Sequence, residues 1–396
     1  MTVVFYNNMG KSITRKSFLI LFFLNSIFSW ATQKLPLADP FILYHDNKYY
    51  AYGTSDPNGI VVYTSDDLQF WTKAPSLALH KNNSYADRWF WAPEVYCLNG
   101  QFYMYYSADE HICVATAQSP LGPFVQDIKQ PMFADKAIDN SLFIDEDGSA
   151  YLFCVRFTDG NAIWMAELES DYKTIKANTW RLCFTANTSG WESDWGKIAE
   201  GPFCIKHEGY YYLTYSANHY QSHNYGVGYA FTLDIKGSWA KYNGNPVLQK
   251  PNGLVGSGHH CLFRDKDDQL KMAFHAHKSE TTVNPRETYI TSVDFVKPPR
   301  GMSILTVSQD YQPAYLGSNT AIRTVTEPSG AKIYISGNQF KVEGTDVQNV
   351  SLYTIDGQLA GCKANQPFSF TMPDSGLYLA VIRYQHDLQE LVKVVM

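Results

Sequence analysis

Short alternating apolar runs separated by polar turns fill most of this chain, and five segments share one form. Asp39–Tyr50, Ala92–Tyr103, Asp139–Leu152, Glu200–Tyr212 and His259–Leu270 each hold an apolar run, a polar turn and a second run, usually rich in aromatics. Alternation broken by Asn, Asp and Gly turns predicts β-hairpins. A hairpin that recurs roughly every 50–60 residues predicts a repeat architecture with units the size of a propeller blade. Gly59–Thr64, His111–Ala117, Ala162–Glu167, Gly226–Phe231 and Thr288–Val293 read as the third strands of those units. No amphipathic helix longer than about ten residues stands out. The expected fold is all-β: a five-bladed β-propeller over residues 33–305.

The pattern changes after about Gln312. Shorter alternating strands are predicted at Lys332–Ile335, Gln339–Val342, Val350–Thr354, Phe368–Thr371, Gly376–Arg383 and Leu391–Val395. They predict a small C-terminal β-sandwich over residues 314–396, an accessory domain. This part has no Trp and no clustered acid pair, so a catalytic site of its own is not expected.

Composition narrows the function. Of 396 residues 45% are apolar, and the formal net charge is −6. With no basic track beyond the N-terminus, nucleic-acid binding is not expected. Aromatics reach 15%, including 28 Tyr and 9 Trp. Such an excess packs strands and also stacks on flat sugar faces. Residues 1–31 read as a signal peptide: Lys11, Arg15 and Lys16 precede the apolar run Ser17–Ile27 and the small-x-small site Ser29–Ala31. Met9 is a possible start, and the mature chain would begin near Thr32. The chain is therefore expected to be exported, periplasmic or extracellular, without a membrane span. The seven cysteines are scattered with no C-x-x-C spacing, which suits buried small residues rather than zinc or a disulfide framework.

In a propeller, the residues opening each first strand converge on one axis. Here those openers are Asp39, Glu94 one pleat further in, Asp139, Glu200 and His259. Asp39 precedes Pro40, which suits a carboxylate held at a strand start. Glu200 lies among apolar residues, which raises a carboxyl's pKa and keeps it protonated. Gly201 beside it would let a substrate approach the backbone. Each acid alone could cap a turn or pair with an arginine, but their shared phase favours a site. Paired carboxylates across a wide cavity are the equipment of glycoside cleavage with inversion, one protonating the leaving oxygen while the other activates water.

The motifs Ala38-Asp39-Pro40, Trp91-Ala92-Pro93-Glu94, Ile138-Asp139-Asn140-Ser141 and Glu200-Gly201-Pro202 together resemble glycoside hydrolase family 43 across residues 33–305. The resemblance implies a five-bladed propeller and an inverting hydrolase of arabinose- or xylose-containing plant polysaccharides or oligosaccharides. It implies Asp39 as general base, Glu200 as general acid and Asp139 as pKa modulator. Trp91, Glu94, Asn140 and Arg286 are read as substrate-binding, although Glu94 could equally pair with an arginine. Trp89 and Phe90 are read as core. His259 resembles a family histidine that helps hold calcium through waters; a metal-free hydrogen-bonding role is the alternative. His260 is expected on the opposite face. Ser55–Gly59 resembles a signature of invertase-like propellers but is read as a turn.

The expected activity is α-L-arabinofuranosidase or β-xylosidase, with endo-arabinanase or exo-β-1,3-galactanase as alternatives. A non-catalytic glycan-binding propeller and a surface protein working through its tail are rivals. The tail, with Val350–Gln358, Ser375–Ile382 and Val392–Val395, resembles sorting domains read by the type IX secretion machinery, or is a generic accessory sandwich. A monomer is expected.

Overall fold

The computed structural model describes residues 33–317 and, in shorter stretches, most of 331–395. The proposed leader and the junction at Thr32 lie outside the described residues. The described chain is all-β, with only three short 3-10 turns.

Five antiparallel sheets follow one another along residues 38–313. The first holds β1 (Ala38–His45), β2 (Lys48–Asp56), β3 (Gly59–Ser65) and β4 (Phe70–Lys73), and the two-residue β5 (Leu79–His80) pairs with β3. The second holds β6 (Trp91–Leu98), β7 (Gln101–Ala108) and β8 (His111–Ala117). The third holds β9 (Ala137–Ile144), β10 (Ala150–Phe157), β11 (Asn161–Leu168) and β12 (Arg181–Thr185). In the fourth are β13 (Ala199–His207), β14 (Tyr210–Ala217), β15 (Gly226–Thr232) and β16 (Ala240–Lys241). The fifth has β17 (Gly258–Arg264), β18 (Leu270–Ala276), β19 (Glu287–Val296) and β20 (Ile304–Pro313). β20 therefore continues past position 305. After it, β21 (Tyr315–Leu316) runs parallel to β4, so the end of this region completes the sheet that began it.

The second strands of the third and fourth sheets are buried on both faces over most of their length. Ala150–Val155 and Tyr211–Ala217 are buried at every position, as expected of strands covered on both sides. Two second-strand tyrosines bury their rings and donate to backbone, Tyr212 to Ser303 O at 2.7 Å and Tyr52 to Pro120 O at 2.5 Å. Strand packing therefore accounts for much of the aromatic excess. Each ring fully removed from water contributes about 1.5–3 kcal/mol.

One irregularity repeats in all five sheets. The register between first and second strands slips near the start, at Ala38/Phe41, Trp91/Glu94, Ile138/Ser141, Glu200/Phe203 and Gly258/His260. At each slip one residue is left-handed: Asp39 (φ 50°), Ala92 (43°), Asp139 (57°), Gly201 (55°) and His259 (41°). These are bulges, which turn a strand and re-aim its side chains. Each bulge N–H is bonded to a side chain from the sheet before it. Ala92 donates to Thr54 Oγ1 (3.0 Å), Asp139 to Ser107 Oγ (3.0 Å), His259 to Ser216 Oγ (2.8 Å) and Asp39 to His275 Nδ1 (3.1 Å). At the corresponding place the third sheet has Val155, which cannot accept; the Gly201 N–H turns to Asp139 Oδ2 instead, at 3.1 Å. The contacts run from each sheet to the next and from the fifth back to the first.

The C-terminal strands are β22 (Lys332–Ser336), β23 (Gln339–Glu343), β24 (Val347–Thr354), β25 (Leu359–Lys363), β26 (Phe368–Thr371), β27 (Leu377–Tyr384) and β28 (Gln389–Val395). They form a sheet β22-β23-β26 and a sheet β25-β24-β27-β28. One core is common to both: Phe340, Val342 and Phe370 cluster with Val350, Leu352 and Ile382. All seven cysteines are free; Cys113, Cys154, Cys204 and Cys261 are buried, and Cys362 is exposed.

Candidate active site

The bulges split the candidate residues into two layers. The five left-handed residues, Asp39, Ala92, Asp139, Gly201 and His259, surround a narrow space that also receives Glu94 and His260. The residue just before the bulge is aimed elsewhere: Trp91, Ile138 and Glu200 line a pocket of about 260 Å³. Asp39, Asp139 and His259 reach both spaces, so the three acids share this pocket with Arg286. Glu200 thus reaches the pocket from one position before the left-handed residue of its sheet, whereas Glu94, two positions after its own, lines only the narrow space. Asn140 is not brought to the pocket. Its side chain is fully buried and donates to Cys113 O at 3.0 Å.

The acids differ sharply in their surroundings. Asp39 accepts from Arg286 Nη1 at 2.7 Å and lies 3.2 Å from His275 Nδ1 and 3.5 Å from His259 Nδ1. Burial alone would raise its pKa. Arg286, aided by both histidines, outweighs burial and holds Asp39 well below the usual carboxylate range. Arg286 is itself fixed, with its guanidinium 4.6 Å from the Tyr220 ring.

Glu200 is the opposite case. Burial, then the negative charge of Asp39, push its carboxyl up to about 7. Hydrogen bonds from Tyr225 Oη (2.8 Å) and Asn161 Nδ2 (3.2 Å) pull the other way. Asp139 is raised well above its ordinary value by burial, then by Glu200 and Asp39, against the Gly201 N–H bond. Two buried like charges hold their proton as a pair. Beneath the pocket, burial raises Glu94 to about 8, although Tyr96 donates to it. Burial lowers His259, against the pull of the Asp39 charge.

Gly201 has a tighter reason to be glycine than substrate approach. It is left-handed, and an added Cβ would lie 3.3 Å from the His259 ring. His260 is buried, its Nε2 2.6 Å from Thr214 Oγ1. Trp89 overturns its expectation: Phe90 is core at 3% exposure, but Trp89 is 45% exposed. Ser55–Gly59 is the β2–β3 turn, tied by Asn58 N to Asp56 Oδ1 at 2.9 Å. Sequence reasoning missed His275, Tyr225, Asn161, His219 and Tyr220. A histidine pair spaced i, i+2 at 275 and 277 was the one legible hint, since period two sends both to one face.

Among the described residues no group of three or more His, Cys, Asp or Glu side chains could hold a metal ion. His259 offers one nitrogen, whereas calcium takes six to eight oxygens. The donors do not fit a directly bound calcium, and no catalytic step is routed through one.

A carboxylate kept ionised and a carboxyl kept protonated, facing one pocket in a serially repeated β fold, define an acid–base hydrolase of glycosidic bonds. The sequence profile of Glycosyl hydrolases family 43 matches residues 33–297, and the chain belongs to that family. It is an inverting O-glycosyl hydrolase. An endo-1,4-β-xylanase structure from Bacteroides thetaiotaomicron VPI-5482 is 45% identical, with a TM-score of 0.69 over 72% of this chain and 98% of its own. A β-D-galactofuranosidase of Aspergillus niger is 24% identical over 283 residues, 65% of this chain and 78% of that protein. An extracellular exo-α-(1→5)-L-arabinofuranosidase of Streptomyces avermitilis is 26% identical over 262 residues, 58% of this chain and 52% of that protein.

Proposed function

We propose that this chain is an exported hydrolase of arabinose- or xylose-containing polysaccharides, with Asp39 as general base and Glu200 as general acid. The observation carrying the assignment is that these two acids line one pocket in opposite surroundings, Asp39 paired with Arg286 and Glu200 buried against Tyr225 and Asn161. Glu200 gives its proton to the glycosidic oxygen as the bond from that oxygen to the anomeric carbon breaks. Water attacks the opposite face of that carbon and passes a proton to Asp39, so the product is inverted. Asp139 shares the pair's charge and tunes when Glu200 ionises. Trp91 and Arg286 position the sugar. Of the two sugar classes, the 45% identical xylanase favours xylose.

In this reading residues 33–317 form a five-bladed propeller, supported by the cyclic bulge contacts. Residues 331–395 form an accessory β-sandwich that engages secretion machinery. The N-terminal leader and the extracellular relative support export; among the described residues no helix is long and apolar enough to cross a membrane. The protein acts as a monomer. Calcium near His259 would be held through waters; EDTA that alters neither rate nor melting temperature removes it from the proposal.

The test is hydrolysis of nitrophenyl α-L-arabinofuranoside, nitrophenyl β-D-xyloside and xylan, with proton NMR of the released anomer. Asp39→Asn and Glu200→Gln should each lower the rate about 10²–10⁴-fold. Unchanged rates in both variants, or a retained anomer, reject the assignment.

A further inference from the structure

The pocket of the acids opens beside a larger groove of about 920 Å³, which shares Trp91 and Arg286 with it. Its lining includes Asp56 and Lys73 from the first sheet together with Arg88, Trp89 and Trp91. Trp89 is the unexplained residue here. Its ring is 45% exposed at the mouth of a catalytic pocket, and its backbone is left-handed at φ 57°. A bulky residue in that region is strained and persists only where its surroundings fix it. Those surroundings are visible. The ring stacks on Trp91 at 5.8 Å and 11°, and the Arg88 guanidinium sits 4.5 Å from its centre. Arg88 is in turn held by Asp109 at 2.8 Å. A wet, immobilised indole pair continuous with the acids is a preorganised surface for flat, partly apolar rings.

We infer that this groove binds the continuation of the sugar chain, at least two rings beyond the one in the acid pocket, with Trp89 as its specificity-determining wall. The inference rests on the proposed function and names the substrate class further: an oligomeric or polymeric pentose chain rather than a single terminal sugar on a small leaving group. The volume suits several rings. Asp56 and Lys73, which also line the groove, offer an acceptor and a donor for sugar hydroxyls.

The test compares kcat/KM on nitrophenyl β-D-xyloside with kcat/KM on β-1,4-xylo-oligosaccharides of two to six residues, for the wild type, Trp89→Ala and Trp89→Phe. For the wild type, kcat/KM should rise at least tenfold from two to four residues. Trp89→Ala should flatten that rise, lowering kcat/KM on the hexamer at least tenfold more than on the nitrophenyl glycoside, and Trp89→Phe should restore most of it. Circular dichroism and melting temperature check that the variants fold. Quenching of tryptophan fluorescence by xylohexaose in Glu200→Gln, lost in the Trp89→Ala double variant, gives a readout free of turnover. A wild-type rate independent of chain length, or an equal loss on all substrates, overturns the inference while leaving the proposed function standing. No hydrolysis of any of these substrates by the wild type, or of the arabinosyl counterparts, overturns the proposed function instead.

Discussion

Replacing Tyr225 with phenylalanine should move the alkaline limb of the pH profile upward. The fully buried Tyr225 donates to Glu200 Oε1 at 2.8 Å. That bond favours the ionised carboxylate, so it lowers a pKa that burial has raised to about 7. Removing it must raise the pKa further. A hydrogen bond to a charged group is worth about 1.5–3 kcal/mol, and one pKa unit is about 1.4 kcal/mol. The bound on the shift is therefore about one to two units. Asn161 and water reaching half-buried Glu200 take up part of the loss, leaving about one unit. The limb should move from about pH 7 to about pH 8, so activity at pH 8, relative to each enzyme's own acid plateau, should rise about fivefold. The ring itself is kept, stacked 5.7 Å from His275 and packed on Gly258. The assay is kcat/KM against pH on a nitrophenyl glycoside. A limb that stays in place or moves down refutes Glu200 as the titrating acid held by Tyr225.

Glu200 also carries a stability cost. Its folded pKa lies above the ordinary 4.5, at about 7, so the folded state binds the proton more tightly and loses stability as pH rises from about 4.5 through 7. At about 1.4 kcal/mol per unit the loss is at most about 3.5 kcal/mol. Glu200→Gln should therefore gain melting temperature over the wild type at pH 8 more than at pH 4; equal differences at both pH values count against the shift. Gly201→Ala places a Cβ 3.3 Å from the His259 ring in a left-handed residue. It should cost about 1–2 kcal/mol and lower the melting temperature by about 2–8 °C; an unchanged melt contradicts the packing argument. Truncation after residue 317 should leave hydrolysis of small glycosides intact, because the pocket of the acids is lined by residues 39–286 alone. Loss of that activity in a folded truncation would give the tail a catalytic part.

The five hairpins were legible because alternation and turn residues are local signals. Asp39 and Asp139 were legible as openers for the same reason. The placement of Glu200 was not, because parity along a strand holds only while pairing is regular, and a one-residue bulge resets it. Glu200 and Gly201 exchange the places that simple alternation gives them, and Asn140 turns into the core. His275 was hidden because a histidine inside a second strand looks like the buried polar residues around it; only its approach to Asp39, 236 positions earlier, reveals its role. Trp89 misled for a different reason. Hydrophobicity puts an indole inside, and nothing local shows that Arg88 and Trp91 hold it in the open.

The partner that keeps Asp39 ionised arrives last. Arg286 lies 247 residues downstream, on the lead into β19. During synthesis from the N-terminus, an intermediate that already carries Asp39, Asp139 and Glu200 has no cation for the first of them. Such a fragment should hold its acids and yet be inert, so turnover would report that translation has passed Arg286. The catalytic base thus comes into being only once the chain has been made as far as its fifth sheet.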